Sequence, residues 1–282
     1  MKNDFKIKKV VYGILPYAAM IFALGVILLP VVSMVMSSFK SPETFMSSTS
    51  FFPEKFSLDY YRNVLGKTHF LKYLINSVVI GVLVSLFSTF LSILGGYALS
   101  RFKKRVKGLK FYTIFLLALQ MFPVVQLIIP LYLTFQKIGI TNTRLSVFIA
   151  YSTFTLPLNI WMMQSYFDGI PYELEESGRI DGCSRLQCLY KLIVPVAGPG
   201  ISSVSIFAFN YCWNEYLLGS LLLKTDGLRT LPIGLQNFMQ EQTTDWGSLM
   251  SASSLAILPV LIFLVVMQKQ IISGMMAGSV KG

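Results

Sequence analysis

Residues 167–200 read FDGIPYELEESGRIDGCSRLQCLYKLIVPVAGPG, a polar stretch between two apolar runs. Five of the thirteen acidic residues of the chain fall within fourteen consecutive positions of this stretch. Pro171 suits the first turn of a helix, and Glu173 complements the positive end of the helix dipole. Gly182 can adopt the left-handed conformation that commonly ends a helix. The stretch therefore predicts a short acidic helix that ends at a glycine corner.

A second helix is predicted directly after this corner. Ser184 is a favourable N-cap residue, and apolar residues recur at i, i+3, i+4 and i+7 from Leu186 to Ile193. Pro195, which has no N–H to donate, is expected to stop the helix. The residues thus predict two helices joined by a sharp corner. On these signals alone, the two helices could equally be an interfacial hairpin that only joins two membrane spans and has no further role.

The sequence on both sides of residues 167–200, which we call the hairpin, requires a lipid environment. Apolar residues make up 54% and charged residues only 13% of the 282 residues, and the mean hydropathy is +0.62. A soluble chain of this length could not bury so much apolar surface. The sequence therefore predicts an all-α integral membrane protein with six transmembrane helices. The stretches of about 20 or more mostly apolar residues lie near 11–36, 74–99, 111–135, 145–166, 200–223 and 249–267.

Details of these spans carry further expectations. The first is interpreted as a retained anchor and not as a signal peptide, because it is longer than an h-region and has no small-residue cleavage site. Prolines inside later spans are expected to kink their helices unless neighbours satisfy the freed carbonyls. These prolines are Pro123, Pro130, Pro157 and Pro259.

The distribution of basic residues predicts the orientation. Fifteen of the twenty-four Lys and Arg residues lie in the N-terminus, the 101–110 loop, the 167–199 loop and the C-terminus. Since cytoplasmic loops are enriched in positive charge, both termini are expected to be cytoplasmic. The basic 101–110 loop is interpreted as juxtamembrane and not as a nucleic-acid-binding patch. The segment 37–70 is then extracytoplasmic and is expected to lie on the outer membrane surface.

Other kinds of site have little support in the sequence. Three cysteines and one histidine supply neither a disulfide framework nor a metal cluster. Gly66-Lys67-Thr68 resembles the end of a phosphate-binding loop, but Tyr61 stands where that motif requires glycine. The chain itself is therefore predicted to hold no cofactor and no metal and to bind no nucleic acid.

The hairpin resembles the signature loop of binding-protein-dependent permeases of ABC importers. The consensus of that family reads Glu-Ala-Ala, three residues and then Gly. Glu176 and Gly182 match it, and Ser177 and Gly178 stand in place of the two alanines. These small residues are expected to preserve close packing, although Gly178 should weaken the helix by about 1 kcal/mol relative to alanine. The resemblance implies a type-1 ABC importer permease fold in which this loop forms a coupling helix that docks on an ATPase subunit.

The resemblance also assigns residues to sites. The residues implied in ATPase coupling are Glu173, Glu175, Glu176, Ser177, Gly178, Asp181 and Gly182. The C-terminal tail of such proteins can reach between the ATPase subunits, and the tail residues implied in this contact, with a disordered end as the alternative, are Gly278, Lys281 and Gly282. The implied division of the chain is 1–36 for the N-terminus and first helix, 37–70 for the extracytoplasmic segment, 71–270 for the type-1 transmembrane domain and 271–282 for the cytoplasmic tail.

Further stretches resemble carbohydrate-uptake permeases, in particular the smaller subunit of the maltose-type pair. They are LINSVVIG (74–81), GGYALSRF (95–102), WNEYLLGSLLL (213–223), TLPIGLQNF (230–238) and SGMMAGSVKG (273–282). The resemblance implies that this chain catalyses no covalent chemistry and forms half of a translocation pathway for a sugar or oligosaccharide. The implied partners are a second homologous permease, two ATPase subunits that hold ATP and Mg²⁺, an extracytoplasmic solute-binding protein and membrane lipid.

Two alternatives stay open at this point. A permease for another solute, such as glycerol phosphate or a polyamine, would share the fold, although the spans hold no cluster of basic residues for a phosphate ester. An ion-driven secondary transporter would predict buried charge pairs and repeats, and only Glu215 fits that prediction.

Polar residues within the predicted fifth span are candidates for the substrate pathway. Glu215 is the one carboxylate inside a predicted span, where an ionisable group is costly and often functional. Asn210 and Asn214 share a helical face, and Trp213 offers a ring for the apolar face of a sugar. The alternative is that Glu215 and Asn214 cross-link helices or cap a backbone break. Weaker candidates in the third and fourth spans are Gln120, Gln126, Asn159 and Gln164.

Overall fold

The computed structural model describes residues 2–47, 49–103, 105–239 and 244–279, with side chains in the same ranges except at 2–14, 110 and 268–279. Within these ranges α-helices dominate, and the extended pairing amounts to two isolated antiparallel bridges. The α-helices are α1 Lys2–Ser38, α2 Asp59–Lys67, α3 Phe70–Phe102, α4 Leu109–Leu119, α5 Val124–Lys137, α6 Arg144–Asp168, α7 Glu173–Ile180, α8 Arg185–Cys188, α9 Val194–Val196, α10 Gly198–Asn214, α11 Leu217–Leu222, α12 Leu231–Leu235 and α13 Trp246–Ser279.

Four continuous helices are long and apolar enough to cross a membrane. Two pairs of sharply bent helices pass the same test together, which gives up to six spans if each pair is counted as one. The four continuous stretches are Leu15–Ser38 of α1, Phe70–Phe102, Arg144–Asp168 and Trp246–Met267 of α13.

The third predicted span, 111–135, is not a single helix. It consists of α4 and α5, which meet at 91°. Pro123 lies at the break as the N-cap of α5, because a proline has no N–H with which to continue the preceding helix. Pro130 and Pro157, by contrast, lie inside α5 and α6.

The fifth predicted span, 200–223, is also interrupted. α10 ends at Asn214, and Glu215 adopts an extended conformation before α11 begins. At its other end α10 meets the segment Arg185–Val196 at 81°. Part of the hairpin thus continues, through a bend, into the fifth span.

The prediction that Pro195 stops the second hairpin helix is wrong by one residue, because the helix continues to Val196. A π-helical turn, Leu189–Ile193, precedes the proline. The ring of a proline normally clashes with the carbonyl four residues earlier in an α-helix. The wider π turn leaves room for the ring.

Residues 69–236 and 256–279 belong to the larger of two compact units. At its centre α3 packs along α6, and α10 packs against both. A Cβ at Gly96 of α3 would overlap the α6 backbone, and such close approach at small residues is typical of membrane helices. Ser88 and Thr155 pair their hydroxyls across this contact at 2.8 Å. This bundle positions the hairpin and the polar residues discussed below.

The smaller compact unit comprises residues up to 68 together with 237–255. Hydrogen bonds join its separate segments: the hydroxyls of Ser38 and Tyr61 lie 2.7 Å apart, and Asn63 Nδ2 donates to Ser248 Oγ at 3.0 Å. Its described residues between α1 and residue 68 are mostly irregular, with the short helix α2, and its second segment contains the first ten residues of α13, 246–255.

Candidate functional site

The predicted acidic helix and glycine corner are confirmed, but the placement of Pro171 in the first turn is wrong, because the residue lies before the N-cap Tyr172. α7 begins at Glu173 and ends at Ile180, and Gly182 has a φ of +85°. The backbone N–H of Cys183 donates to the carbonyl of Gly178 at 2.9 Å, which closes the corner. Among the described residues, no atom outside Gly182 and its two chain neighbours lies within 4 Å of the position that a Cβ would take at Gly182. The requirement for glycine here is therefore conformational and not steric.

The N-cap of the second hairpin helix is also confirmed. Ser184 Oγ accepts from the backbone N–H of Gln187 at 3.3 Å, and Gln187 Oε1 accepts from the backbone N–H of Ser184 at 2.8 Å. This reciprocal capping box fixes the direction in which the chain leaves the corner. Gly178 is buried, and a Cβ on it would contact the side chain of Leu192 and lie 3.3 Å from Cys188 Sγ. The two helices of the hairpin are therefore packed closely at a small residue, as the sequence predicts.

Most residues predicted for ATPase coupling lie on the exposed side of the hairpin. Apolar side chains are exposed there as well: Ile180 is 86% exposed and Leu186 67% exposed. The exposed side of the hairpin therefore combines acidic and apolar side chains. The exposed residues among those predicted are Glu173, Glu176, Ser177, Asp181 and Gly182.

Glu175, in contrast, is turned into the protein and does not belong to this exposed surface. Glu175 is 5% exposed, and its carboxylate forms an ion pair with Arg101 Nε. Tyr97 Oη donates to the other carboxylate oxygen of Glu175 at 2.9 Å. The structure therefore separates Glu175 from the other acidic residues of α7, because its charge is already paired inside the chain.

Arg101 is a functional candidate that sequence reasoning missed. Its Nη1 donates to the carbonyl of Phe167 at 3.0 Å and its Nη2 to the carbonyl of Ile170 at 3.1 Å. We call the group of Tyr97, Arg101 and Glu175 with these two carbonyls the Arg101 anchor. The available signal was the spacing of Tyr97 and Arg101, four residues apart on one helical face within GGYALSRF.

A second, more exposed ion pair lies beside the Arg101 anchor. Lys103 Nζ lies 2.6 Å from Asp168 Oδ2, and these side chains are 33% and 34% exposed. Ser100 Oγ donates to Asp168 Oδ1 at 2.7 Å. The pair connects the end of α3 to the end of α6, and no hydrogen bond or ion pair described for Lys103 reaches α7.

The candidates for the substrate pathway do not all face the same space. Asn210, Asn214 and Glu215 line a cavity of about 310 Å³ together with Phe207 and Tyr211. This grouping keeps the two amides on one face, as their spacing predicts.

Trp213 is not part of this cavity. The residue is 7% exposed, and its ring stacks on Phe209 with the ring centroids 5.6 Å apart. The prediction of Trp213 as a sugar platform is therefore corrected. The ring is occupied by packing within α10, and the aromatic residues that line the cavity are Phe207 and Tyr211.

Glu215 caps the break in the fifth span. Its Oε1 accepts from the backbone N–H of Leu218 at 2.7 Å, and its Oε2 accepts from Gly219 at 3.0 Å. Both amides lie in the first turn of α11, where backbone N–H groups have no helical partner. Asn214 Nδ2 donates to the side-chain and backbone oxygens of Asn210, at 2.7 and 2.8 Å, and so pairs within its own helix. The geometry of Glu215 is that of the alternative interpretation, a cap on a backbone break.

A second cavity, of about 360 Å³, lies between α4, α5, α6 and α10. It is mostly apolar, and Tyr211 lines this cavity as well as the first. Among the weaker candidates, Gln120 lines it and donates from Nε2 to the carbonyl of Phe154 at 3.2 Å. Residues at the break between α4 and α5, among them Leu119 and Phe122, thus line this space.

The remaining weaker candidates lie elsewhere. Gln164 accepts from Thr113 Oγ1 at 2.8 Å, and Asn159 is fully buried in α6. Gln126 does not line either of these two cavities. Within the described ranges, no three His, Cys, Asp or Glu side chains come together in a way that could hold a metal ion.

Two of the three predicted tail contacts, Lys281 and Gly282, lie outside the described residues. Gly278 lies in α13, where only the backbone is described. Their predicted contact with an ATPase stays a prediction.

Comparison with known proteins supports the architecture built above. Residues 88–276 match the family described as "Binding-protein-dependent transport system inner membrane component". The inner membrane ABC transporter permease protein YcjP of Escherichia coli (strain K12) is 36% identical over 94% of this chain and 95% of its own length. The trehalose/maltose transport system permease protein MalG of Thermococcus litoralis is 36% identical over 90% of this chain and 92% of its own length.

A solved structure has the same fold. A chain in the crystal structure of a bacterial ABC transporter involved in the import of the acidic polysaccharide alginate matches with a TM-score of 0.79 at 23% identity. The match covers 93% of this chain and 97% of that chain. With its apolar spans, its fold and these relatives, the chain belongs to the family of inner membrane components of binding-protein-dependent transport systems and has the type-1 ABC importer permease fold.

Proposed function

We propose that this chain is a permease subunit of an ATP-driven, binding-protein-dependent importer and forms half of the translocation pathway for a sugar or oligosaccharide. The observation that carries the proposal is the hairpin: an ordered acidic helix, α7, held at a fixed corner by Gly182, with acidic and apolar side chains exposed. Relatives named for the transport of trehalose/maltose and of diacetylchitobiose, at 36% and 31% identity, support a carbohydrate as the solute.

In this proposal α7 is the coupling helix, and it lies on the cytoplasmic side of the membrane together with both termini of the chain. The exposed side chains of Glu176, Ile180 and Asp181 dock in a groove of a separate ATPase subunit. ATP and Mg²⁺ are held by that ATPase, and this chain catalyses no covalent chemistry. A short helix with a fixed corner transmits a displacement that a flexible linker would absorb. Closure of two ATPase subunits then rocks this permease and a second, homologous permease between inward and outward states.

The solute path is proposed to pass the two cavities that share Tyr211. Ligand sites typically combine apolar and aromatic walls with a few polar groups, and here Tyr211 and Asn210 line the same cavity. Among the described residues that line the two cavities none is basic, which favours a neutral solute over a phosphate ester. The carboxylate of Glu215 already accepts hydrogen bonds from two backbone amides, which disfavours a polyamine as the solute.

The test is uptake by the reconstituted complex. Proteoliposomes that contain this chain, its permease partner and the ATPase are supplied with the binding protein and with radiolabelled maltose, trehalose, diacetylchitobiose, glycerol 3-phosphate or putrescine. We expect uptake of a sugar that requires both ATP and the binding protein. Uptake of only glycerol 3-phosphate or putrescine would contradict the sugar assignment. Uptake driven by an ion gradient without ATP would contradict the importer class.

A pair of variants tests the path within the same assay. Tyr211→Ala removes the ring that lines both cavities, and Tyr211→Phe keeps it. We expect sugar uptake to fall in Tyr211→Ala and to persist largely in Tyr211→Phe. Equal uptake in wild type and in Tyr211→Ala would exclude this part of α10 from the path.

A further inference from the structure

We infer that Arg101 is a positioning residue for coupling: through Glu175 it fastens the coupling helix to α3, so that movement of the hairpin reaches the membrane helices. This inference rests on the proposed function, since it takes α7 to be the part that the ATPase moves. The contact that carries it is the Arg101 anchor, which connects α3 to three consecutive pieces of chain.

The connections follow the guanidinium atom by atom. Arg101 lies in the last turn of α3. Its Nη1 bonds the carbonyl of Phe167 in the last turn of α6, and its Nη2 bonds the carbonyl of Ile170 in the linker. Its Nε pairs with Glu175 in the first turn of α7. One side chain thus holds the end of α6, the linker and the coupling helix in a fixed relation to the long helix α3.

Burial makes this connection rigid. The side chains of Arg101 and Glu175 are only 9% and 6% exposed, so neither charge can exchange its partner for water at low cost. The planar guanidinium presents its donors in fixed directions, which a lysine ammonium does not. Tyr97, one turn earlier on α3, holds the second carboxylate oxygen at 2.9 Å. Glu175 is therefore fixed in orientation as well as in distance.

The neighbouring pair of Lys103 and Asp168 supplies a matched control. It lies at the same end of α3 and also joins α3 to α6, at 2.6 Å. It is about one-third exposed, and the contacts described for Lys103 do not include α7. A variant of Lys103 removes an ion pair from the same region and leaves the link to the coupling helix intact.

The experiment measures solute moved per ATP hydrolysed. We reconstitute the wild-type complex and four variant complexes with the binding protein; the variants are Glu175→Gln, Tyr97→Phe, Arg101→Lys and Lys103→Gln. The solute is radiolabelled trehalose, or whichever other sugar of the uptake test above the wild type imports. Coupling between two sites typically changes the binding affinity at one of them by a factor of roughly 5–150. We expect Glu175→Gln and Arg101→Lys to co-purify with the ATPase and hydrolyse ATP but to move roughly tenfold less sugar per ATP. Tyr97→Phe should show a smaller loss, and Lys103→Gln the wild-type ratio.

The ratio separates coupling from folding. A variant that merely folds poorly lowers the amount of complex and thus both rates together, and leaves the ratio unchanged. An unchanged ratio in Glu175→Gln would overturn the inference, as would an equal loss in Lys103→Gln. Failure of both Glu175→Gln and Tyr97→Phe to assemble would also overturn it, because the anchor would then serve folding alone. Absence of ATP-dependent uptake by the wild type would instead refute the proposed function.

Discussion

Replacement of Gly182 by valine should impair coupling through backbone strain alone. Gly182 has a φ of +85°, and in the described part of the chain no atom beyond its two sequence neighbours lies within 4 Å of the position that a Cβ would occupy. Steric overlap therefore contributes nothing to the expected effect. The left-handed conformation costs an L-residue about 1–2 kcal/mol, and a β-branched residue is a clear outlier there. A cost of this size changes the ratio of the native corner to rearranged corners by a factor of roughly 5–30.

Asparagine at the same position is the matched control, because it tolerates the left-handed conformation far better than valine does. In the reconstituted complex we expect Gly182→Val to lose most of its binding-protein-stimulated ATP hydrolysis and sugar uptake. Gly182→Asn should keep most of both. Wild-type activity in Gly182→Val would refute the role of the corner. Equal losses in the two variants would show that the partner requires a bare backbone here and not the left-handed conformation.

Three further predictions concern stability, measured by thermal unfolding in detergent. Gly178→Ala should change stability little, since about 1 kcal/mol of helix propensity is offset by roughly 0.5–1.5 kcal/mol for displacing the Leu192 side chain; a large loss would mean that this side chain cannot move. Glu215→Ala should cost about 1–2 kcal/mol, like the loss of a helix cap, and Glu215→Gln less; lost uptake with unchanged stability would instead assign Glu215 to the solute. The hydrogen bond with His69 lowers the pKa of Asp226 below its usual 3.8, so the contribution of the ionised carboxyl is complete above pH 3.8 and declines as the pH falls through the lowered pKa. The stability difference between wild type and Asp226→Asn should therefore shrink as the pH falls below 3.8; a difference that stays constant through that acid range would contradict the assignment.

The parts of the hairpin that the sequence predicts correctly are those set by local chemistry. The left-handed Gly182 and the cap at Ser184 depend on residues within one helical turn. The passage of the helix through Pro195 is not predictable in this way. It depends on a π turn that the residue types on their own do not indicate.

The residues that join distant segments are the ones that sequence reasoning misses. Arg101 and Glu175 are separated by 74 positions, and nothing in either local pattern indicates the other. The local pattern therefore places Glu175 with its exposed neighbours on α7. Trp213 shows the same limit, because its spacing places it near Asn210, whereas packing on Phe209 decides where its ring lies.

Membrane spans follow the same division between local and distant information. The positions of the four continuous spans follow from length and apolar composition. The break between α10 and α11 does not follow from composition, because the run WNEYLLGSLLL is equally apolar whether it forms one helix or contains a capped break. The carboxylate of Glu215 was the only local sign of it.

The most direct test of the central claim is a photochemical cross-link from Ile180 to the ATPase. Ile180 is 86% exposed at the end of α7. Benzoylphenylalanine is introduced at this position, or at Met46 as an 83% exposed control in the segment predicted to be extracytoplasmic. Membranes that contain the complete complex are irradiated, and adducts are identified by mass spectrometry. The account predicts an adduct with the ATPase subunit from Ile180 and none from Met46; no ATPase adduct from Ile180, or equal adducts from both positions, would contradict it.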